Sequence, residues 1–507
     1  MTVRFRRRIS LLASAVAFSL AATLTAAVTT TANADEVDSP HTQRAYSPYA
    51  NYTMKWTRAD IQRLEAESDQ TAARGANTLP EWLSMPEIPR DFPIMTDRNT
   101  GRQVWVWDTW PLTDEHGNQY SYKGWNVIFS LTADPNAGYT FDDRHVNARI
   151  GFWFRKANDD TSPWIWGGRI FGNQTPQTQA EWSGSTRIFD DGTVKVFYTH
   201  LNFADRNKPI AKIAVSQGRI QANDQGVWFS GLRGYTPLLE PDGEWYQTPD
   251  QNPFFSFRDP FTFEDPRYPG KTFMVFEGNT AGNRGDYQCK SSDLGASGED
   301  PEEVTASGAN FQMANIGLAV ATNTQLTKWK FLPPILSGNC VNDQTERPQF
   351  VIKKVDGQWK YYLYTISHAF TAAAGIRQPD GVYGFVGNGI RSDFVPLNGH
   401  GLSLGNPMDL RLAPTDPDQN PRIYQSYSHY VMPGGLVTSF IDNVAGRRGG
   451  TLAPTVKVDV DGSTTSVDRS VGNGGLLDYG YIPAGYDISP GRDGAMRIKR
   501  LQQKQLN

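Results

Sequence analysis

The chain has 507 residues, of which 20% are charged and 12% aromatic, with two cysteines and a formal charge of −4. That length is ample for a large core, and the acidic balance argues against nucleic acid as a partner. Two cysteines exclude a disulfide-dense scaffold but leave room for one bridge in an exported protein.

Residues 1–34 read as an export signal. Arg4, Arg6, Arg7 and Arg8 precede an apolar stretch over 9–28, and Ala32-Asn33-Ala34 supplies small residues for cleavage. An uncleaved anchor is the alternative, and the arginine cluster loosely suits twin-arginine export. Cleavage removes four positive charges and takes the formal charge to −8. The expectation is a secreted monomer with no membrane contact. Residues 35–50 are polar and aperiodic and read as a flexible lead. Thr57-Arg58-Ala59-Asp60 then forms a capping box that opens a helix through Ile61 and Leu64.

After this helix, β signals dominate. Residues 124–131 place Trp125, Val127, Phe129 and Leu131 on one face, and 194–199, 272–277, 359–366 and 455–460 have similar composition. Turn clusters separate them: Asp190-Asp191-Gly192, Asp265-Pro266, Asp356-Gly357 and Asp461-Gly462. Many short strands, tight turns and abundant Trp and Tyr predict an all-β sandwich or propeller. No clean internal repeat is visible, so pattern alone leaves the blade count open. Residues 491–507 read as a polar, basic tail.

Three segments carry the chemistry: Val104-Trp105-Val106-Trp107-Asp108-Thr109-Trp110-Pro111-Leu112, Phe257-Arg258-Asp259-Pro260, and Asp343-Gln344-Thr345-Glu346-Arg347-Pro348. Each sets a carboxylate beside an aromatic, an arginine or a proline. Together they offer a nucleophile, a substrate-gripping acid and a proton donor, as a retaining glycosidase requires. Singly they are weak, because Asp at a strand end is ordinarily a turn or cap residue and Arg258-Asp259 also suits a structural ion pair. Gly270-Lys271-Thr272 lacks the earlier glycine of a phosphate loop, having Asp265 there, and no His-Glu-x-x-His or Cys-x-x-Cys occurs.

These segments, with Glu181-Trp182-Ser183-Gly184-Ser185, Val275-Phe276-Glu277-Gly278-Asn279-Thr280 and Tyr427-Ser428-His429, resemble the levansucrase and bacterial β-fructofuranosidase family, glycoside hydrolase family 68. The resemblance runs from about Trp56 to about Ile488. It implies a five-bladed β-propeller over 51–490 with a funnel-shaped central pocket. It also implies sucrose as substrate, a fructosyl-enzyme intermediate, and fructosyl transfer to water, sugars or fructan. By the same resemblance Asp108 is the nucleophile, Glu346 the general acid and later the base, and Asp259 the acceptor of fructosyl hydroxyls. Trp107 and Trp182 would wall the sugar pocket, and Ser183 would bond fructose or orient Asp108. Arg258 and Arg347 would offer donor forks to the glucosyl hydroxyls. Gln344 and Glu277 would be polar liners, with Glu277 alternatively a partner behind the lining residues, and Tyr427 would bond Glu346 or Arg347.

Two positions depart from the family's Gram-positive pattern. His368 stands where those enzymes carry arginine and Gram-negative members carry histidine. A shorter, mostly neutral donor predicts that oligosaccharides and hydrolysis compete with long levan. Several Gram-positive relatives also bind structural calcium, but the aligned position here is Pro253, which has no side-chain oxygen. Gln288, Asn315 and Asp343 match other ligand positions, too few for a hard cation. The expectation is therefore no cofactor, with a Cys289–Cys340 disulfide tying the segments the ion would join. Hydrolytic β-fructofuranosidase is the nearest alternative activity, since both use the same carboxylates. A non-catalytic sugar-binding propeller and an inverting arabinan hydrolase stand further off.

Overall fold

The computed structural model describes residues 41–73, 79–92, 103–159, 164–205, 209–412, 416, 422–470, 486–490 and 496–500. The expected export signal at 1–34 lies outside them. Among the described residues, no helix is long and apolar enough to cross a membrane.

Antiparallel units follow one another along the chain, each built of neighbouring strands. The first is Trp105–Thr113, Trp125–Ala133, Arg149–Lys156 and Ile165–Arg169. The second is Gln179–Ile188, Thr193–Asn202, Ile210–Asn223 and Gly226–Ser230, joined to the first where Leu112 and Thr113 pair in parallel with Thr186 and Arg187. Phe257–Glu264, Glu346–Val355 and Ser426–Val431 begin three further sheets of five strands each. The predicted strands at 194–199, 272–277 and 359–366 fall inside observed ones, and those at 124–131 and 455–460 do so but for their first residue.

What repeats is geometry rather than residue type. The first strand of every unit breaks register once: at Trp107/Trp110, Trp182/Gly184, Arg258/Phe261, Glu346/Gln349 and Tyr427/Tyr430. Such bulges bend a strand and re-aim its side chains. In four of them the second residue has positive φ: Asp108 (47°), Asp259 (60°), Arg347 (49°) and Ser428 (58°). In the other, Gly184 is required by close approach, since a Cβ there would lie 1.9 Å from the Phe197 carbonyl oxygen.

Apolar faces between units hold the assembly. Trp110, Phe129, Phe152 and Phe229 pack between the first and second, with Phe152 and Phe229 edge-to-face at 4.8 Å. Phe263, Phe350 and Phe394 join the third to the fourth. Helix Arg58–Ala73 buries Ile61 and Leu64, and its predicted capping box is present, with Asp60 accepting from the Thr57 backbone N–H at 2.8 Å.

The flexible lead does not extend to residue 50. Ala45–Tyr46 pairs with Arg391–Ser392, and fully buried Arg391 donates to the carbonyls of Pro48, Tyr52, Pro333 and Pro334. Asp393 accepts from the Thr42 backbone and hydroxyl and pairs with His41 at 3.0 Å. Likewise, Met496–Arg500, inside the segment read as a tail, pairs with Tyr486–Pro490.

His41 makes this strap sensitive to alkali. Burial lowers its pKa, but Asp393 and Asp60 outweigh that and raise it to about 9. A folded-state value above the ordinary one near 6.5 contributes stability that is complete below about 6.5 and lost as pH rises through about 9. Thermal melts between pH 7 and 10.5 should show this loss in wild type and not in His41→Gln; equal slopes would refute it.

Cys289 and Cys340 form a disulfide, 51 residues apart. Nearby, the Asp343 carboxylate accepts from the Met313 backbone N–H at 3.1 Å and from Asn279 at 3.3 Å. Gln288 donates to the Asp286 carbonyl and Asn315 to the Thr280 hydroxyl.

Candidate active site

The first strands of all the units meet at one cavity of about 500 Å³. Trp107 and Asp108 come from the first unit, Trp182 and Ser183 from the second, Arg258 and Asp259 from the third, Glu346 from the fourth and Tyr427 from the fifth. Gln344 and His368 complete the expected set of liners, and buried Gln344 Oε1 has no protein partner, leaving it free for a ligand hydroxyl. Carboxylates far apart in sequence thus face one sugar-sized hollow.

Their partners differ. Both Asp108 oxygens accept from hydroxyls: Oδ2 from Ser183 at 2.5 Å and Oδ1 from Ser428. Glu346 is held at Oε1 by Arg258 Nη2 at 2.9 Å and at Oε2 by the Tyr427 hydroxyl. Asp259 donates its backbone N–H to Thr199 Oγ1 at 2.8 Å and accepts the Arg347 backbone N–H at 3.2 Å. Burial pushes the Asp259 carboxyl above the usual range; Arg258 opposes this, while Glu346 and Asp108 add to it.

Glu277 and Arg347 are not in the wall, and Glu277 takes its alternative place behind a lining residue. Glu277 is fully buried behind Arg258, 2.6 Å from its Nε, and shares Nη2 of that guanidinium with Glu346, at 3.2 and 2.9 Å. Burial raises its pKa, with Arg258 opposing. Arg347 is 6% exposed and spends its fork on protein: Nη1 donates to Ser428 O and Oγ, both at 2.8 Å, and Nη2 to Thr109 O at 2.6 Å. The expectation that Arg347 grips glucosyl hydroxyls is therefore corrected. Its guanidinium is drawn between the strands by these carbonyls and by the Tyr430 ring, 5.2 Å away, rather than toward the cavity.

The levansucrase/invertase family pattern matches residues 46–483. The chain belongs to this family. It is 55% identical to the levansucrase of Gluconacetobacter diazotrophicus over 88% of this chain and 80% of that one. The crystal structure of the same levansucrase superposes with TM-score 0.79, at 54% identity, covering 88% of this chain and 96% of that one. The catalytic domain of the Microbacterium saccharophilum β-fructofuranosidase also superposes at 0.79, with 49% identity over 88% and 98% of the two chains. The fold is thus the family's β-propeller.

Within this family site, His368 lines the cavity and is held by three neighbours. Its ring stacks on Tyr427 at 3.4 Å and on Phe370 at 4.5 Å, and Nδ1 bonds Asp380 at 3.0 Å. Burial lowers its pKa, but Asp380 and Glu346 outweigh that, so the imidazole holds its proton more tightly than a free one.

Several cavity-lining positions escape sequence reasoning. Arg144 and His145 reach the cavity from the short 3₁₀ turn Phe141–Asn147; Asp442 and Arg448 reach it from the fifth unit. Arg144 lies 5.4 Å above Trp107 and 3.8 Å from Asp442, which pairs with Arg448 at 3.2 Å. Burial, then Arg144 and Arg258, hold His145 well below the usual imidazole range, so it is neutral. Its carbonyl accepts from Trp182 Nε1 at 2.8 Å, which fixes that wall. The available signal was the box Thr140-Phe141-Asp142-Asp143, which starts the turn.

Proposed function

We propose that the chain is a secreted levansucrase-type fructosyltransferase acting on sucrose by retaining double displacement. The observation that carries this is the contrast between two carboxylates in one cavity: Asp108 between two hydroxyls, Glu346 between an arginine and a phenol. Asp108 attacks the fructosyl anomeric carbon while Glu346 gives its proton to the departing glucosyl oxygen. Once Asp108 carries fructose, Glu346 takes a proton from the incoming hydroxyl of fructan, sugar or water. Asp259 accepts fructosyl hydroxyls, each such charge-assisted bond contributing about 1.5–3 kcal/mol. Trp107 and Trp182 wall the sugar and exclude water. A non-catalytic sugar-binding propeller would have no use for this pairing.

Likeness to a β-fructofuranosidase at 49% identity supports a second reading, mainly hydrolytic. Sucrose feeding separates the two. Transfer releases more free glucose than free fructose, whereas equal release throughout would establish hydrolysis. Acceptor grip sets product length. His368 has one ring nitrogen committed to Asp380 and so at most a single N–H left to offer, where arginine would present five donors. Wild type should make short fructo-oligosaccharides and His368→Arg longer ones; high-mass levan as the main wild-type product would overturn this.

The proposed organisation is a cleaved signal at 1–34, one catalytic propeller within 51–490 and a monomer. No cofactor is proposed. Pro253 has no side-chain oxygen, and although the buried Asn315 Oδ1 has no protein partner, Asp343 is the one carboxylate at the matched positions and already accepts from Met313 and Asn279, so the set is too poor in oxygens for calcium. The Cys289–Cys340 bridge takes that tethering role, and closing a loop of about 50 residues stabilises by roughly 4 kcal/mol in the chain-entropy model. The melting temperature should fall with reductant and not with EDTA; the reverse would restore the ion.

A further inference from the structure

The Arg347 side chain is bonded to the backbone of two other bulges at once. Its guanidinium binds Thr109 O, next to Asp108 in the first unit, and both oxygens of Ser428 in the fifth. Its backbone N–H binds Asp259 in the third, and it directly follows Glu346 in the fourth. The guanidinium also lies 5.2 Å over Tyr430. A bulky residue at φ 49° is uncommon and persists where its surroundings over-determine it. The guanidinium's own partners, Thr109, Ser428 and Tyr430, do not line the cavity.

The consequential bond runs through Ser428. Its hydroxyl has one proton, given to Asp108 Oδ1, and its oxygen accepts from Arg347 Nη1 at 2.8 Å. A hydroxyl that accepts from a cation becomes a stronger donor, because bonds in such a chain polarise one another. Asp108 therefore feels the Arg347 charge without touching it.

Resting on the assignment of Asp108 as nucleophile, we infer that Arg347 and Ser428 are positioning residues that set the rate of the second half-reaction, by making Asp108 a better leaving group. In that step, a lone pair of the acceptor oxygen forms a bond to the fructosyl anomeric carbon. The bond from that carbon to the Asp108 oxygen breaks and its electron pair returns to the carboxylate, while the acceptor's proton passes to Glu346. Negative charge grows on Asp108 as the bond breaks, and the polarised Ser428 hydroxyl is aimed at it. In the first half-reaction the same bond restrains the nucleophile, so its loss slows release more than attack.

Ser428→Gly tests this with little strain, because glycine adopts φ 58° freely and leaves the arginine its two backbone carbonyls. Arg347→Lys is the companion variant. For Ser428→Gly, kcat on sucrose should fall roughly 10- to 100-fold. KM should fall with it, so that kcat/KM holds within a few-fold, and Arg347→Lys should move the same way. Acid-quenched intact mass should show a larger steady-state fraction of fructosyl-enzyme than wild type. A drop in kcat/KM at unchanged KM, or no gain in adduct, overturns the inference, and if Arg347→Lys does not fold, Ser428→Gly decides alone. Peptide mapping separates the two levels. An adduct on a residue other than Asp108 sinks the underlying reading, whereas an adduct on Asp108 that does not accumulate sinks only this one.

Discussion

Asp108→Asn should lose about ten-thousandfold or more in sucrose turnover, because removing a nucleophile that works as part of a unit costs nearly all of that unit's contribution. Asparagine is the right replacement for a structural reason. Asp108 sits at φ 47°, a conformation that Asn enters far more readily than Ala. The amide can also keep one acceptor for the Ser183 or Ser428 hydroxyl. The variant should therefore melt no lower than wild type. It should melt higher if like charge in the site costs stability, since Asp259 is pushed up in part by Glu346 and Asp108. Activity lost together with the fold would mean only a structural role. Turnover within tenfold of wild type would remove Asp108 from the chemistry altogether. Measured together, the melting temperature and the glucose burst on sucrose distinguish these outcomes.

The three carboxylates were legible because each lies in a local context that few structural roles require, such as Trp107-Asp108 or Arg258-Asp259-Pro260. The β-rich class was legible from alternation such as Trp125, Val127, Phe129 and Leu131, which emerged inside strand Trp125–Ala133. The fivefold plan was not. Its repeat is a register break occupied in turn by Trp-Asp, Trp-Ser, Arg-Asp, Glu-Arg and Tyr-Ser, pairs that share a position and no residue type. The misplacement of Arg347 has the same origin. Strand alternation says which of two neighbours faces a cavity only while the pleat is regular, and a bulge with positive φ resets it. The strap at 41–50 looked like solvated chain because its partners, Arg391 and Asp393, lie more than 300 residues away. The partner that holds His368 was not legible, because Asp380 lies 12 residues on in an otherwise unremarked loop.

Glu346→Gln should split the two half-reactions. With sucrose, the leaving glucosyl oxygen needs a proton, and loss of a positioned acid costs roughly 10²–10⁴-fold. A fructosyl donor whose leaving group needs no proton, such as the fluoride, should still fructosylate Asp108 at a rate near wild type. The second step then lacks its base, so fructosyl-enzyme accumulates and intact mass detects it. An anionic nucleophile such as azide, which has no proton to lose, should restore turnover where water does not. The surroundings favour a clean result. Tyr427 can turn its hydroxyl toward a neutral amide, and Arg258 keeps Glu277 at 2.6 Å, so the cavity is not left with an unpaired cation. Equal losses with sucrose and with the activated donor, and no accumulated adduct, would show that residue 346 shapes the pocket rather than moves the proton. The acid would then have to be sought among the other groups facing the cavity. Asp259 is the first of these, because burial already holds its carboxyl above the usual range.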